Sequence, residues 1–156
     1  MTRINMIDPS LLADQHLMAE WREIKHVPSA LMRRLQSHSI KETLAKVPPN
    51  FTLNTGHISF FMDKIDYLTD RYYHLTEELE KRGYVLSQES LQNYYDWIEK
   101  VPDEFFKSGY KPTARGKALI IERITLRISE KPQGWYRYYG KVQNLEFFVK
   151  LMGDGK

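Results

Sequence analysis

Apolar side chains recur every three to four residues along two long segments of this chain. They are Ile65, Leu68, Tyr72, Leu75 and Leu79 between about residues 60 and 82, and Ile120, Ile121, Ile124 and Ile128 between about 113 and 131. This spacing places each set on one face of an α-helix, while the alternation typical of strands is nearly absent. The sequence therefore predicts an all-α fold.

Shorter patterns complete the predicted architecture, a compact single-domain bundle of about three main helices plus short helices. A first helix is expected from about 11–14 to Glu23, and a short aromatic helix over 87–99. Pro28 lacks a backbone donor and should end or kink the first helix before 30–35. A loop is expected around 47–50, and Gly83 should cap the long second helix.

Composition restricts the classes of function open to the chain. Its 156 residues suffice for one domain spanning 1–156, and the absence of cysteine excludes disulfides and thiolate chemistry. A net charge of +3 mildly favours polyanionic binding partners. The start is too polar for a secretion signal and no apolar run reaches membrane length, so we expect an intracellular protein, cytoplasmic or nucleoid-associated.

Charged residues cluster on the predicted first helix. His16, Glu20 and Glu23 stand at i, i+4 and i+7 and so share one face, with Arg22 and His26 on a neighbouring strip. Spacing alone favours a solvated polar face with ordinary helical ion pairs. A second set, Arg123, Arg127 and Lys131, forms a basic stripe opposite the isoleucines, for which solvation and nucleic-acid contact are equally open readings.

Four blocks of sequence carry a resemblance to a known family. They are the start Met1–Asn5 with Ala13–Glu23; Gly56-His57 followed by Phe60-Phe61 and Asp63-Lys64; Lys81–Tyr84; and Trp135–Lys141. In residue type and order they resemble the pyrimidine-dimer DNA glycosylases typified by phage endonuclease V, over about residues 1–141. The resemblance implies an N-terminal segment packed into the helical core, and residues 142–156 extend beyond it as a docked short helix or an oligomer contact.

The resemblance also implies a reaction. Removal of Met1 would expose the α-amine of Thr2, whose ordinary pKa is about 7.7–8.0, so a useful fraction is nucleophilic at neutral pH. In the family this amine attacks C1′ of the 5′ nucleotide of a cyclobutane pyrimidine dimer and forms a covalent imine. A glutamate, here Glu23, then assists β-elimination, which makes the enzyme both a DNA N-glycosylase and an AP lyase.

Further positions are assigned to DNA or lesion binding on the same basis. They are Arg3, Gln15, His16, Arg22, His26, Arg123, Arg127, Tyr136 and Arg137. Trp135 is expected to pack inward, with Tyr136 and Arg137 nearer DNA. Glu20 and His57 are interpreted as structural, Tyr94, Tyr95 and Trp97 as core, and Arg33–Arg34 as a patch that steers the DNA backbone.

One departure from the phage pattern concerns lesion recognition. His26 stands where that pattern has arginine, and the helix-breaking proline comes three residues later, at Pro28. Because histidine is charged only part of the time near neutral pH, grip on the lesion is expected to be weaker or more dependent on pH.

The expected partner is double-stranded DNA containing pyrimidine dimers, bound by a monomer that needs no metal, cofactor or membrane. Two alternatives stay open at the level of sequence. One is the same imine chemistry on another damaged or modified base, and the other is a non-catalytic helical module that binds DNA or protein.

Overall fold

The computed structural model of the chain describes residues 3–154. Its α-helices are α1 Asp14–Glu23, α2 His26–Arg34, α3 Ile40–Ala45, α4 His57–Phe60, α5 Ile65–Lys81, α6 Gln88–Glu99, α7 Ala114–Ser129 and α8 Leu145–Asp154. Two 3-10 turns (Pro9–Leu11 and Asp103–Phe106) and one antiparallel pair, β1 Arg137–Tyr138 with β2 Lys141–Val142, complete the described part. The predicted all-α fold is confirmed.

Helix α5 forms the centre of the core. All five of its predicted inward positions are buried, and α1 and the 3-10 turn Asp103–Phe106 pack against it. Its C-terminus is closed by Gly83 at φ +93°, where the amides of Gly83 and Tyr84 bond to the carbonyls of Glu80 and Leu79. This is the Schellman pattern that the glycine predicted. The predicted start near residue 60 is wrong, because Lys64 interrupts the helix and α4 is a separate short turn.

The break between the first two helices does not lie at Pro28. Helix α1 ends at Glu23 and α2 already begins at His26, so Pro28 occupies the third residue of α2. The backbone N–H that proline lacks has no intrahelical acceptor in the first turn, and a proline is therefore tolerated there. The predicted end or kink at Pro28 is wrong, although two separate helices do form.

Helix α3 was not predicted, although the sequence contains a local signal for its N-terminus. Ser39 and Glu42 form a capping box: the Ser39 hydroxyl accepts from the amide of Glu42, and the Glu42 carboxylate accepts from the amide of Ser39. Together they satisfy two amides that a helix start leaves without partners. The S-x-x-E pattern could have been read from the sequence.

Two of the three aromatic residues assigned to the core of α6 lie at the surface. Tyr94 is fully buried and stacks on Tyr72 at 4.1 Å between ring centroids. Tyr95 and Trp97 are 37% and 38% exposed, which corrects their assignment. The helix has one flank against the core, and only a side chain on that flank can be enclosed.

The C-terminal segment docks as a helix. Phe148 and Met152 are 1% exposed, and α8 packs against α7 and the 3-10 turn Pro9–Leu11. Of the two expectations for this segment, the docked helix is therefore the one observed. Within residues 3–154, no helix combines the length and the apolar composition needed to cross a membrane.

Candidate active site

A cleft of about 320 Å³ opens where the N-terminal segment, α1, α7 and the residues before β1 meet. Its walls are formed by Arg3, Asn5, Gln15, His16, Ala19, Glu20, Glu23, Arg123, Ile124, Arg127, Trp135 and Tyr136. Seven of the positions expected from the sequence to act in catalysis or DNA binding lie here: Arg3, Gln15, His16, Glu23, Arg123, Arg127 and Tyr136. The fold thus joins residues from both ends of the chain in one site.

The first wall, residues 3–7, is irregular backbone fixed by side chains from three helices; we call it the N-terminal wall. Ile4, Asn5, Met6 and Ile7 are each at most 5% exposed. The Ile4 amide donates to Nε2 of His57 at 2.9 Å, and the Arg3 guanidinium donates to the carbonyl of Leu53 at 2.6 Å. Such tethering is unusual at a chain end, which ordinarily frays.

A buried ion pair holds the same wall from beneath. Arg71 on α5 donates to both carboxylate oxygens of Glu20 on α1 and, at 2.9 Å, to the carbonyl of Ile7. The Asn5 amide donates to Glu20 at 2.9 Å. Glu20 therefore lies at the floor of the cleft with its charge compensated, in agreement with the structural role predicted for it.

Backbone strain marks the turn that ends the wall. Met6 has φ +53°, and the amide of Ile7 donates to the carbonyl of Asn5 at 2.6 Å, which closes a three-residue turn. A bulky residue with positive φ costs about 1–2 kcal/mol and persists only where its surroundings determine it. The Met6 side chain is buried and its sulfur accepts from the Tyr110 hydroxyl at 3.4 Å.

Helix α1 presents its predicted face to the cleft. His16, Glu20 and Glu23 all line it, so the helical spacing located them correctly. Arg71 neutralises Glu20, and Glu23 is the second carboxylate among the described residues that line the cleft. Glu23 is half-buried at the end of α1.

His16 is held as a neutral ring. Burial, and secondarily the charge of Arg127, lower the pKa of His16 from 6.5 to about 4. Its ring lies 4.8 Å from that of Tyr136, and its buried Nδ1 has no hydrogen-bond partner among the described residues. A neutral imidazole facing the cleft can offer a hydrogen bond to a bound substrate.

Three guanidinium groups give the cleft its charge. Burial, followed by the charges of Arg123 and Arg127, lowers the pKa of Arg3, while Glu23 acts in the opposite direction. Within the described part of the chain, the buried Nε of Arg123 has no hydrogen-bond acceptor. Like charges gathered around one half-buried carboxylate favour binding of an anion such as a phosphate.

The second wall leads into the hairpin that joins β1 to β2; we call residues 135–142 the hairpin wall. The side-chain amide of Gln15 bridges it, donating to the carbonyl of Trp135 at 2.5 Å and accepting from the amide of Arg137 at 3.1 Å. Asp14 accepts from the amides of Tyr139 and Gly140 at 3.1 and 2.9 Å. Two consecutive residues at the start of α1 thus fix the hairpin.

A buried arginine supports this wall from behind. Arg82 donates to Asp14 at 2.9 Å and to Glu78 at 3.0 Å, and its side chain is completely enclosed. The rings of Tyr138 and Tyr139 each lie 4.7 Å from the guanidinium. The sequence did not predict roles for Arg82 and Asp14. The Lys81–Tyr84 block contributed to the family resemblance but did not indicate that Arg82 supports the hairpin wall.

The predicted orientation of the Trp135 segment is wrong. Trp135 is 52% exposed at the cleft rim with the Lys131 ammonium 4.8 Å from its ring, whereas Tyr136 is 7% exposed. Tyr136 fits inward because it packs between His16 and Phe148. Trp135 precedes the hairpin and has no core surface to cover.

Three expected DNA contacts lie outside the cleft. Arg22 and His26 are exposed and line a separate depression of about 310 Å³ with Lys25, Ser29, Asn93 and Trp97. They belong to different helices, because the chain turns between α1 and α2. Arg137 is exposed on β1, and Arg33 is exposed while Arg34 bonds to Ser59 and Met62.

The catalytic nitrogen predicted for Thr2 lies outside the described residues. Thr2 is nevertheless bonded directly to Arg3, which lines the cleft. Among residues 3–154, no group of three or more histidine or acidic side chains is arranged to hold a metal ion.

Comparison with known families finds a match over the N-terminal part of the chain. The family model described as pyrimidine dimer DNA glycosylase matches residues 1–92, more than half of the 156-residue chain. The matched range contains the N-terminal wall, the α1 face and both buried ion pairs that support the walls, Glu20–Arg71 and Asp14–Arg82. The chain therefore belongs to the pyrimidine dimer DNA glycosylase family.

Proposed function

We propose that this glycosylase acts on ultraviolet-induced cyclobutane pyrimidine dimers through an imine formed by the α-amine of Thr2, and then nicks the strand as an AP lyase. The observation that carries the proposal is the shared cleft of Arg3 and Glu23, bordered by Arg123 and Arg127. Thr2 directly precedes Arg3, which lines the cleft, so the α-amine of Thr2 is one residue away from a residue of this site.

The charges of the cleft suit an amine nucleophile. Three guanidinium groups beside an α-amine disfavour its ammonium form and so lower its pKa. Attack of the nitrogen on C1′ breaks the bond from C1′ to the 5′ pyrimidine, and opening of the sugar ring leaves a protonated imine between C1′ and Thr2. No lysine lines the cleft within the described residues.

Glu23 serves the steps that follow. Its carboxylate stabilises the cationic intermediate and accepts a proton from C2′, which the imine has made acidic. The electron pair left on C2′ forms a double bond to C3′, and the bond from C3′ to its phosphate oxygen breaks. The strand is thereby cut on the 3′ side of the abasic sugar, between the two nucleotides of the original dimer.

The remaining residues of the cleft bind the damaged strand. Arg3, Arg123 and Arg127 pair with phosphates, while Gln15, His16 and Tyr136 contact the lesion. Arg22, His26 and Arg137 are outer contacts to the duplex, and an adenine opposite the dimer is extruded as the DNA kinks. Affinity should fall steeply with salt, because neutralised phosphates release their counterions.

Borohydride trapping tests the proposal directly. Protein incubated with ultraviolet-irradiated duplex and borohydride should form a covalent adduct, and peptide mapping should place it on Thr2. Duplexes carrying other base lesions and unirradiated duplex are the matched controls. Stronger trapping on another lesion would assign a different substrate. Binding without trapping would indicate a non-catalytic DNA-binding module.

The mechanism also requires that Thr2 be the first residue of the active protein. In Met1-Thr2 the nitrogen belongs to a peptide bond, where its lone pair is delocalised and unable to form an imine. Intact mass measurement of fully active protein should therefore show loss of Met1. Full activity with Met1 retained would exclude the Thr2 amine.

A further inference from the structure

His57 is buried beside the N-terminal wall and does not line the cleft. It is 3% exposed, its Nε2 accepts from the amide of Ile4 at 2.9 Å, and its Nδ1 lies 2.8 Å from the carbonyl oxygen of Thr52. Because a carbonyl can only accept, the proton resides on Nδ1 and Nε2 offers a lone pair. Both bonds are satisfied together by the neutral ring alone, since a protonated ring would direct an N–H at the N–H of Ile4.

The loop that carries His57 holds the preceding residue as well. The guanidinium of Arg3 donates to the carbonyl of Leu53 at 2.6 Å, so residues 3 and 4 are both bound by the segment 52–57. Gly56 turns this segment with φ +95°, a conformation that favours glycine, and α4 begins at His57. The imidazole is therefore fixed at both nitrogens by a defined loop.

The surroundings of His57 favour its neutral form. The edges of Phe51 and Phe61 enclose the ring at 5.5 and 5.3 Å between centroids, and the charged groups facing it are Arg3 and Glu20. Burial lowers the pKa of His57 and Arg3 acts in the same direction, whereas the bond to Thr52 and the charge of Glu20 oppose them. At neutral pH the acceptor for Ile4 is thus available.

We propose that His57 is a positioning residue for the N-terminal amine, and that it acts by holding the backbone of Ile4 only while its ring is neutral. This proposal rests on the proposed role of Thr2. Ile4 is two residues from the reacting nitrogen, and loss of its bond frees the chain between the amine and the buried part of the wall. An amine that must approach C1′ in line is sensitive to displacements of about 1 Å.

Two substitutions separate positioning from packing. His57→Leu removes the acceptor, while His57→Gln keeps an oxygen near the position of Nε2. At a pH well above the ordinary histidine pKa, the single-turnover rate of His57→Leu should fall about ten- to a hundredfold. His57→Gln should recover to within about threefold of the unmodified protein because the bond to Ile4 is retained. Affinity for irradiated duplex should change in neither.

Val101→Ala is the control for lost packing. Val101 is 5% exposed and follows α6, outside the cleft and the N-terminal wall. It should lower stability while leaving the single-turnover rate unchanged. A rate loss in Val101→Ala as large as in His57→Leu, or an equal loss in the leucine and glutamine variants, would overturn the positioning role.

A pH profile provides the second test and stands even if His57→Leu fails to fold. The ratio of the His57→Gln rate to the rate of the unmodified protein cancels every titration that the two proteins share. This ratio should rise as pH falls through the pKa of His57, because only the histidine protein loses its acceptor. A ratio that stays flat, with both proteins folded by circular dichroism, would overturn the proposal.

Peptide mapping of the trapped adduct separates failure of the Thr2 mechanism from failure of the positioning role of His57. An adduct on a residue other than Thr2 would overturn the proposed mechanism together with the role of His57. An adduct on Thr2 combined with unaltered rates in both His57 variants would overturn the role of His57 alone.

Discussion

The two irregular walls of the cleft are built in different ways. In the N-terminal wall, residues 4–7 are at most 5% exposed and are bound by a buried ion pair and a buried histidine. The hairpin wall exposes Trp135, Tyr139 and Val142 by 52%, 38% and 54%, and its backbone is tied down chiefly by Asp14 and Gln15. Each contains a non-glycine residue with positive φ, Met6 at +53° and Tyr139 at +52°.

The difference separates two demands on a glycosylase site. A reacting amine must be held within a fraction of an ångström, and burial with charged hydrogen bonds supplies that fixity. A surface that meets a distorted duplex benefits from a tethered but exposed element. We therefore expect changes at the N-terminal wall to alter rate and stability, and changes at the hairpin wall to alter affinity.

The largest effect is expected at the carboxylate between the walls. Glu23→Gln should retain lesion binding and lower the single-turnover rate by about 10²–10⁴, because the amide neither accepts the C2′ proton nor balances the cation. Gel-shift titration and quenched kinetics on irradiated duplex measure both quantities. Glu89→Gln, at an exposed position of α6, is the control, and full activity in Glu23→Gln would remove this residue from the mechanism.

Breaking the support of the N-terminal wall should come next. Arg71→Met leaves the carboxylate of Glu20 buried without its partner, and the free energy of unfolding should fall by about 3–5 kcal/mol. Urea denaturation measures this loss. The double variant Glu20→Gln with Arg71→Met should regain much of the stability but not the rate, since Ile7 stays unbound; recovery of both would show that the wall needs no ionic support.

Acidification should lower the stability of the protein through His16, whose ring packs against Tyr136. The pKa of His16 is about 4 in the folded protein against 6.5 ordinarily, so the unfolded chain binds the extra proton between these values. The contribution of His16 to the free energy of unfolding should therefore be fully present above pH 6.5. It should fall by about 3 kcal/mol as the pH decreases to about 4. Subtracting the curve of His16→Gln isolates this contribution; parallel curves would contradict it.

The smallest effect is expected at the hairpin wall. Gln15→Ala removes two hydrogen bonds to the backbone of residues 135 and 137, and lesion affinity should weaken by about 1–2 kcal/mol. Stability and single-turnover rate should change little, as fluorescence titration and quenched kinetics would show. Gln92→Ala on exposed α6 is the control, and a rate loss like that of Arg71→Met would erase the distinction between the walls.

Much of the site was accessible from the sequence because it rests on helical periodicity. The i, i+4, i+7 spacing placed His16, Glu20 and Glu23 on one face, and the structure sets all three on the cleft. Arg123 and Arg127, one turn apart on α7, follow the same rule. Arg22 and His26, which the same spacing placed together on a neighbouring strip, do line one depression outside the cleft, although the chain changes helix between them.

The sequence did not predict the structure of the irregular segments or the contacts that hold them. The hairpin at Tyr139 and Gly140 went unpredicted, because two-residue strands have no measurable alternation and the amides of its turn are satisfied by Asp14, 125 and 126 positions away. Trp135 and Tyr136 were assigned in reverse, since composition cannot tell which of two adjacent aromatics faces the core. His57 was interpreted as structural, but its bond to Ile4 spans 53 positions and could not be anticipated.

The sequence by itself determined the all-α class, the main helices, the face of α1, the basic residues of α7 and the family resemblance, since each depends on residues close in the chain or on block order. Only the tertiary structure decided that Arg71 and His57 fix the N-terminal wall, that Asp14, Gln15 and Arg82 hold the hairpin wall, and that the two walls enclose one cleft. The physical reason is that a buried polar group must find its partner wherever packing supplies one, and that partner is set by the whole fold.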